Sequence, residues 1–90
     1  MYTLTFAPQA LADLAKLKKS EPAAFKKAGK LLGELQDHPK TGSGRPEALS
    51  GDRLGQWSRR ITQKHRLIYE IEEDVVKVDV LSSYGHYDDK

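Results

Sequence analysis

The sequence predicts an α+β fold in which a two-helix hairpin packs on a twisted, mainly antiparallel sheet. Two observations lead to this prediction. Apolar residues recur at helical spacing in the first half of the chain, whereas alternating, β-branched runs fill the second half. The elements therefore follow the order β-α-α-β-β-β in one domain over residues 1–90, and 38% hydrophobic residues suit one modest core.

The first strand and both helices are expected within residues 2–39. Residues 2–6 alternate and predict a short strand, and Pro8 suits the first turn of the helix that follows. Ser20 is expected to cap the second helix, and Pro39 marks its end. The predicted apolar face of this second helix consists of Phe25, Ala28, Gly29, Leu32 and Leu35.

A long loop separates the helices from the remaining strands. Residues 39–55 lose the helical period and contain four glycines, and a loop of this length in a small domain is either functional or disordered. We expect Trp57 and Tyr69 to pack in the core or on the sheet, and His65 to make a local hydrogen bond. The last three strands are predicted at 57–62, 65–71 and 75–82, with turns at 63–64 and 72–74.

Composition excludes several classes of function. Without cysteine, the chain has no disulfide scaffold, thiolate zinc site or cysteine nucleophile. Its three histidines lie far apart without carboxylates at ligand spacing, so we predict neither a metal site nor a cofactor. The first residues lack the features of a signal peptide, and no apolar run is long enough to span a membrane. We therefore expect a cytoplasmic protein with no membrane partner.

The net charge of +2 conceals an uneven distribution along the chain. Residues 40–66 carry a charge of +5, whereas residues 67–90 carry −5. This basic block would suit an anionic partner. It is equally consistent with two parts of a sheet that neutralise each other.

The basic block and the end of the chain contain side chains suited to cutting RNA without a metal. That reaction needs a base for the 2′-hydroxyl, a cation for the phosphorane and an acid for the leaving 5′-oxygen. Carboxylate, guanidinium and imidazole groups can perform these tasks, and a tyrosine can stack on a splayed base. Groups of these kinds are found at Glu47, Arg59, Arg60, Arg66, His86 and Tyr87. They permit the reaction without requiring it.

Four segments carry a more specific signal: Gly-Arg-Pro-Glu-Ala-Leu at 44–49, Gln-Trp-Ser-Arg-Arg-Ile-Thr at 56–62, His-Arg-Leu-Ile-Tyr at 65–69, and His-Tyr at 86–87. Together they resemble the YoeB (Txe/YoeB) toxins of the RelE/ParE toxin–antitoxin superfamily. The resemblance covers nearly the whole chain and implies a RelE-like fold. It also implies ribosome-dependent cleavage of mRNA in the A site. The partners so implied are the ribosome, mRNA and a cognate antitoxin that masks the toxin, and a homodimer stays open.

The resemblance further implies roles for single residues. Glu47 matches the proposed general base, Arg66 the arginine that stabilises the transition state, and His86 the proposed general acid. Tyr87 matches the tyrosine that ends the family's active site, and Arg60 a basic residue that lines it.

Three further basic residues, Arg45, Arg53 and Arg59, are candidates for substrate binding. Arg59 and Arg60 are neighbours on a predicted strand, so their side chains point to opposite faces. Only one of the two can line a given site. The other would bind the ribosome or pack along the sheet.

Two departures from the family pattern keep other functions open. Ser50 stands where the family commonly has lysine, so one phosphate or rRNA contact is absent or is supplied by Arg53. Residues 88–90 extend the chain beyond the His-Tyr at which family members tend to end. Acidic residues beside a phosphate site would weaken RNA binding. One alternative is a ParE-like inhibitor of DNA gyrase on the same fold. The other is a non-catalytic protein that binds the ribosome or an antitoxin.

Overall fold

The structure is a computed structural model that describes the backbone of residues 1–83 and the side chains of residues 1–79. A short strand and two helices come first, and four strands follow. Their bounds are β1 (Thr3–Phe6), α1 (Pro8–Ser20), α2 (Pro22–Leu35), β2 (Glu47–Ala48), β3 (Gln56–Arg60), β4 (His65–Glu72) and β5 (Val75–Ser83), with a 3₁₀ turn at Gly51–Arg53.

The strands form one five-stranded sheet in the order β1-β5-β4-β3-β2. β1 runs parallel to β5, whereas the other three pairings are antiparallel. The predicted α+β class and mainly antiparallel sheet are therefore confirmed. The two-residue strand β2 was not predicted, because two residues are too few to show a period.

The predicted cap of the second helix is wrong. Ser20 is the last residue of α1, and its hydroxyl donates a hydrogen bond to the Lys16 carbonyl at 3.0 Å. Glu21 alone separates the two helices, and its N–H donates to the Leu17 carbonyl at 2.8 Å. Pro22 then opens α2, where its missing N–H removes a donor that would otherwise lack a partner.

The core lies between the helices and one face of the sheet. In α2 the buried positions are Ala24, Ala28, Leu31 and Leu35, whereas Gly29 of the predicted face is exposed. Burying each of the two leucine side chains contributes about 2 kcal/mol. The buried core comprises Ala10, Leu17, Ala24, Ala28, Leu31, Leu35, Ile61, Leu67, Tyr69, Val76 and Val78. Within the described residues, no helix is long and apolar enough to cross a bilayer.

The strand residues behave largely as predicted. Tyr69 is fully buried and Trp57 packs against the core, which confirms their packing role. His65 is structural and has the predicted local hydrogen bond, since its N–H donates to Oγ1 of Thr62 at 3.2 Å. Its Nε2 also lies 3.0 Å from Oε2 of Glu21 between the helices, a long-range contact that was not predicted. The register between β4 and β5 shifts after Ile68, which makes Asp79 an extra, bulged residue.

Candidate active site

The two faces of β3 divide the candidate site residues. Side chains alternate along a strand, and residues paired across strands share a face. Trp57 and Arg59 face the helices. The opposite face is called the outer face below, and it carries Glu47 of β2, Gln56, Ser58 and Arg60 of β3, and Arg66, Ile68 and Glu70 of β4.

Glu47, Arg60 and Arg66 come together on the outer face. Arg60 pairs directly with Arg66, and Glu47 pairs with Ser58, which lies two residues before Arg60. Paired side chains begin about 5 Å apart at Cβ, and two residues along a strand span about 7 Å. Two cations on facing positions repel each other, so an anion bound between them would relieve this repulsion.

Glu47 lies in an exposed position on a strand of only two residues. None of the ion pairs found among the described side chains involves its carboxylate. The N–H of Leu49 donates to the Gln56 carbonyl at 2.9 Å, so the pairing of β2 with β3 continues one residue beyond Glu47–Ala48. The strand thus presents an accessible carboxylate at the border of the outer face.

Two buried polar atoms on the outer face lack hydrogen-bond partners within residues 1–79. They are Oγ of Ser58, in a residue with no exposed surface, and Nε of Arg60. Buried donors are nearly always satisfied, so unsatisfied ones are typical of positions where a ligand or water completes the hydrogen bonding.

His86 and Tyr87 lie outside the described residues, so their predicted convergence with Glu47 is not addressed by the geometry. The last described residues of β5 do pair with the strand that carries Arg66. Ser82 pairs with Arg66 and Ser83 with His65.

The two loop arginines differ in their surroundings. Arg45 is exposed, has a left-handed backbone at φ 53°, and lies two residues before Glu47. Arg53 is half-buried, and its Nη1 donates to Oε1 of Gln56 at 2.8 Å. Arg45 is close to the outer face because it lies two residues before β2, and Arg53 because it bonds to Gln56.

The prediction that Arg59 contacts a substrate is wrong, because this residue has no exposed surface. Its guanidinium group faces the helices and lies 3.1 Å from Oε1 of Glu34. It also donates to the carbonyls of His38 and Thr41, each at 2.8 Å. Of the two alternatives for the arginine that does not line the site, packing along the sheet is the one observed.

Sequence reasoning missed the partners of Arg59. Glu34 accepts a hydrogen bond from the Ser43 N–H at 2.9 Å, and this bond, aided by the nearby charge of Arg59, lowers the pKa of Glu34. Gly44 has φ 81°, and a Cβ atom there would lie 2.6 Å from Cγ of Arg59. Nothing in the periodicity links Glu34 with Arg59, since 25 residues separate them.

A second polar cluster on the outer face was also missed. The Gln56 side-chain amide donates to Oε2 of Glu70 at 3.2 Å and to the carboxylate of Asp79. Nζ of Lys77 lies 3.8 Å from Oδ1 of Asp79. Burial raises the pKa of Asp79, and the neighbouring Glu70 raises it further. The bulge turns Asp79 toward Gln56, and a bulge has no signature in simple alternation.

Two helices on this mixed sheet form the fold of bacterial toxins from toxin–antitoxin systems. The toxin in a YoeB–YefM complex from Staphylococcus aureus has a TM-score of 0.81 and 31% identity, over 97% of this chain and 99% of that chain. A YoeB dimer from the same organism has a TM-score of 0.80 and 30% identity, over 94% of this chain and 98% of that one.

Sequence comparison identifies the family. The toxin YoeB of Mycobacterium bovis is 36% identical over 87 residues, which cover 97% of this chain and 100% of that protein. The family profile described as the YoeB-like toxin of bacterial type II toxin–antitoxin systems matches residues 6–87. The chain therefore belongs to the YoeB-like toxin family, and the resemblance in its four sequence segments is confirmed.

Proposed function

We propose that this toxin is a ribosome-dependent mRNA endoribonuclease that cuts mRNA in the A site and so inhibits translation. The observation that carries the proposal is the shared outer face of Glu47, Arg60 and Arg66 in a chain of the YoeB-like family. Acid–base cleavage of RNA needs a proton acceptor and fixed cations at one location, and this face offers both.

The proposed reaction is an acid–base transesterification. The Glu47 carboxylate accepts the proton of a ribose 2′-hydroxyl, and that oxygen attacks the adjacent phosphorus. Arg66, with Arg60 facing it, stabilises the charge of the phosphorane. His86 donates a proton to the leaving 5′-oxygen, so the products are a 2′,3′-cyclic phosphate, or its hydrolysed 3′-phosphate, and a 5′-hydroxyl.

Covalent geometry is compatible with the proposed role of His86. Ser82 pairs with Arg66, and His86 follows four residues later. Four residues span at most about 14 Å, so the length of the chain permits this role. Tyr87 is proposed to complete the site, where a phenol ring can stack on a base.

The outer face also supports the proposed binding of RNA. Arg45 is exposed and close to Glu47 in sequence. Arg53 is proposed to make the phosphate contact of the family lysine, whose position is occupied here by Ser50. The half-buried guanidinium groups of Arg60 and Arg66 are suited to bind the phosphates of a nucleotide. This scheme uses no metal or cofactor, and the sites of contact are phosphate and ribose groups.

The partners follow from the same proposal. The ribosome presents the mRNA, which requires a cytoplasmic location, and a cognate antitoxin masks the toxin. The YoeB–YefM complex of the S. aureus relative supports an antitoxin partner, and the YoeB dimer of that organism supports a homodimer. The arginines at and beside the outer face, Arg45, Arg60 and Arg66, would suit an acidic segment that folds on binding.

Cleavage of a reporter mRNA on translating ribosomes tests the proposal. The wild-type protein should produce ends at the A-site codon only when ribosomes are present. Glu47→Gln should slow cleavage at least about 100-fold, since it removes a general base, and Glu72→Gln is the matched control at an exposed position of β4. Arg66→Met should also slow the reaction.

Three results would contradict parts of this proposal. If a Glu47→Ala, His86→Ala double variant cuts as fast as the wild type, the site assignment is wrong. Gyrase-dependent DNA breaks with intact mRNA would favour the ParE-like alternative. Ribosome binding without cleavage at high protein concentration would favour the non-catalytic alternative.

A further inference from the structure

Burying the charged side chain of Arg59 is unfavourable in free energy, and packing alone does not explain it. Its side chain has no exposed surface, and its Nε has no hydrogen-bond partner within residues 1–79. Removing a cation from water is unfavourable by several kcal/mol unless nearby groups compensate it. The partners that compensate Arg59 therefore indicate what its burial achieves.

Among the described residues, the side-chain hydrogen bonds and the ion pair of Arg59 join it to the end of α2 and the loop that follows. The guanidinium group contacts the Glu34 carboxylate at 3.1 Å and the carbonyls of His38 and Thr41 at 2.8 Å. Glu34 in turn accepts the Ser43 N–H at 2.9 Å. We call this set of contacts the loop anchor. It binds the backbone at three points within six residues.

Neighbouring contacts also hold the loop against the sheet. The Tyr69 hydroxyl donates to the Pro39 carbonyl at 2.6 Å, and the Arg60 N–H donates to the Gly44 carbonyl at 2.6 Å. A Cβ atom on Gly44 would lie 2.6 Å from Cγ of Arg59, so the loop backbone lies directly on that side chain.

Glu47 follows the last residue of the loop anchor, Ser43, after three intervening residues, Gly44, Arg45 and Pro46. Pro46 has a fixed φ and restricts the residue before it, so this link is stiff. On the other side of Glu47, the strand β2 has two residues. Such a short strand fixes a carboxylate weakly by itself, because few hydrogen bonds hold it.

We propose that Arg59 and Glu34 are positioning residues that hold the loop so that the Glu47 carboxylate meets the ribose 2′-hydroxyl. The proposal rests on the proposed function of Glu47 as the general base. Arg59 touches no substrate and acts through the backbone of residues 38–44. A displacement of about 1 Å at a reacting group is enough to slow a reaction about 100-fold.

The planar fork of arginine suits this role better than the ammonium group of lysine. Arg59 meets one carboxylate and two carbonyls at the same time, which requires donors in several fixed directions. Arg59→Lys keeps the charge and most of the side-chain volume, but its single nitrogen cannot bind all three acceptors in the same geometry. Glu34→Gln keeps an acceptor for Ser43 and removes only the charge.

The test measures single-turnover mRNA cleavage on ribosomes for Arg59→Lys and Glu34→Gln, with Glu72→Gln as the control. Urea denaturation first establishes that each variant is folded under the assay conditions. We expect Arg59→Lys to lower the rate at saturating toxin about 10- to 100-fold, with less than about a threefold change in the half-saturating concentration. Glu34→Gln should have the same pattern with a smaller loss, and it carries the test if Arg59→Lys does not fold.

A double-mutant cycle distinguishes positioning from any general structural role. If Arg59 acts through Glu47, Arg59→Lys should lower the rate little further in a Glu47→Gln background. An equal loss in both backgrounds, or an unchanged saturating rate in both single variants, would overturn the proposal.

Amide hydrogen exchange gives a readout that does not depend on cleavage. Arg59→Lys should speed exchange at Ser43 and Leu49, whereas Glu72→Gln should not. Unchanged exchange at both amides would overturn the loop anchor even with an active enzyme. If the wild-type protein does not cut mRNA, the proposed function is wrong. Arg59 and Glu34 then have no general base to position.

Discussion

Arg59 and Arg60 are consecutive residues of β3 in opposite environments. Arg59 faces the helices, is fully buried and binds Glu34 together with two loop carbonyls. Arg60 lies on the outer face opposite Arg66. Two identical side chains thus have different roles because alternation along the strand turns one toward the core and the other toward the candidate site.

The two faces also differ in how their charges are compensated. On the helix-facing side, the Arg59 cation meets a carboxylate and carbonyl dipoles. On the outer face, Arg60 faces another cation, and Asp79 lies beside the carboxylate of Glu70. The helix-facing side is therefore arranged for stability. The outer face retains repulsions that a bound partner could relieve.

Replacing each arginine by methionine should give the largest difference between the faces. Arg59→Met leaves the Glu34 carboxylate and two loop carbonyls without their donor, so we expect the free energy of unfolding to fall by about 3–5 kcal/mol. Arg60→Met should change it by less than about 0.5 kcal/mol, since it also removes the repulsion with Arg66. Urea denaturation followed by circular dichroism measures both.

Equal losses in the two variants would contradict this comparison. A large loss in Arg60→Met alone would mean that the outer face is the one arranged for stability. The relative order of the two values is the critical result, because the free energy of burying a charge depends strongly on its surroundings.

A smaller difference should separate two glycines of the loop. Gly44 and Gly51 both have positive φ, at 81° and 67°. A Cβ atom on Gly44 would lie 2.6 Å from Cγ of Arg59 and 2.7 Å from the Arg60 carbonyl, whereas nothing lies within 4 Å of one on Gly51. We expect Gly51→Ala to destabilise the fold by about 1 kcal/mol and Gly44→Ala by about 3 kcal/mol.

Thermal unfolding measures this pair, and the variants share the same backbone penalty. Their difference therefore reports the close approach of the loop to Arg59. Similar unfolding temperatures for the two variants would show that the loop does not lie tightly on β3 at Gly44.

The fold was predictable because it depends on patterns that extend over many residues. Helical spacing in the first half and alternation in the second half gave the class and the element order. The Ser20 cap failed because the choice among Ser20, Glu21 and Pro22 depends on one tight connection. The strand β2 was missed because two residues carry no period.

The candidate site was predictable only in part. The alternation of Arg59 and Arg60 indicated that just one could line a site, and motif resemblance selected Arg60. The contacts of Arg59 with Glu34 and the loop carbonyls were not predictable, because they join residues far apart in sequence. Asp79 was missed since a bulge at Ile68/Tyr69 changes the register without a sequence signature.

Asp79→Asn should give the smallest of these differences in stability, and it tests whether charges on the outer face destabilise the fold. Burial and Glu70 raise the pKa of Asp79 above its ordinary value of 3.8, so the folded state holds this proton more tightly than the unfolded state. The protonated form therefore favours folding at low pH. That contribution is lost as pH rises from about 3.8 through the higher folded pKa, and the ionised group then destabilises the fold.

At pH 7 we expect Asp79→Asn to be more stable than the wild type by less than about 1 kcal/mol, because water reaches part of this side chain and screens the repulsion. The gain should shrink as pH falls toward 3.8, because a pKa above 3.8 makes the protonated form of the wild-type carboxyl the more populated one in the folded state. Asp37→Asn, at an exposed position, is the control. Urea denaturation from pH 3.5 to 7 measures the trend. A variant less stable than the wild type at pH 7 would mean that Gln56 and Lys77 compensate Asp79 fully, and that this part of the outer face is arranged for stability as the helix-facing side is.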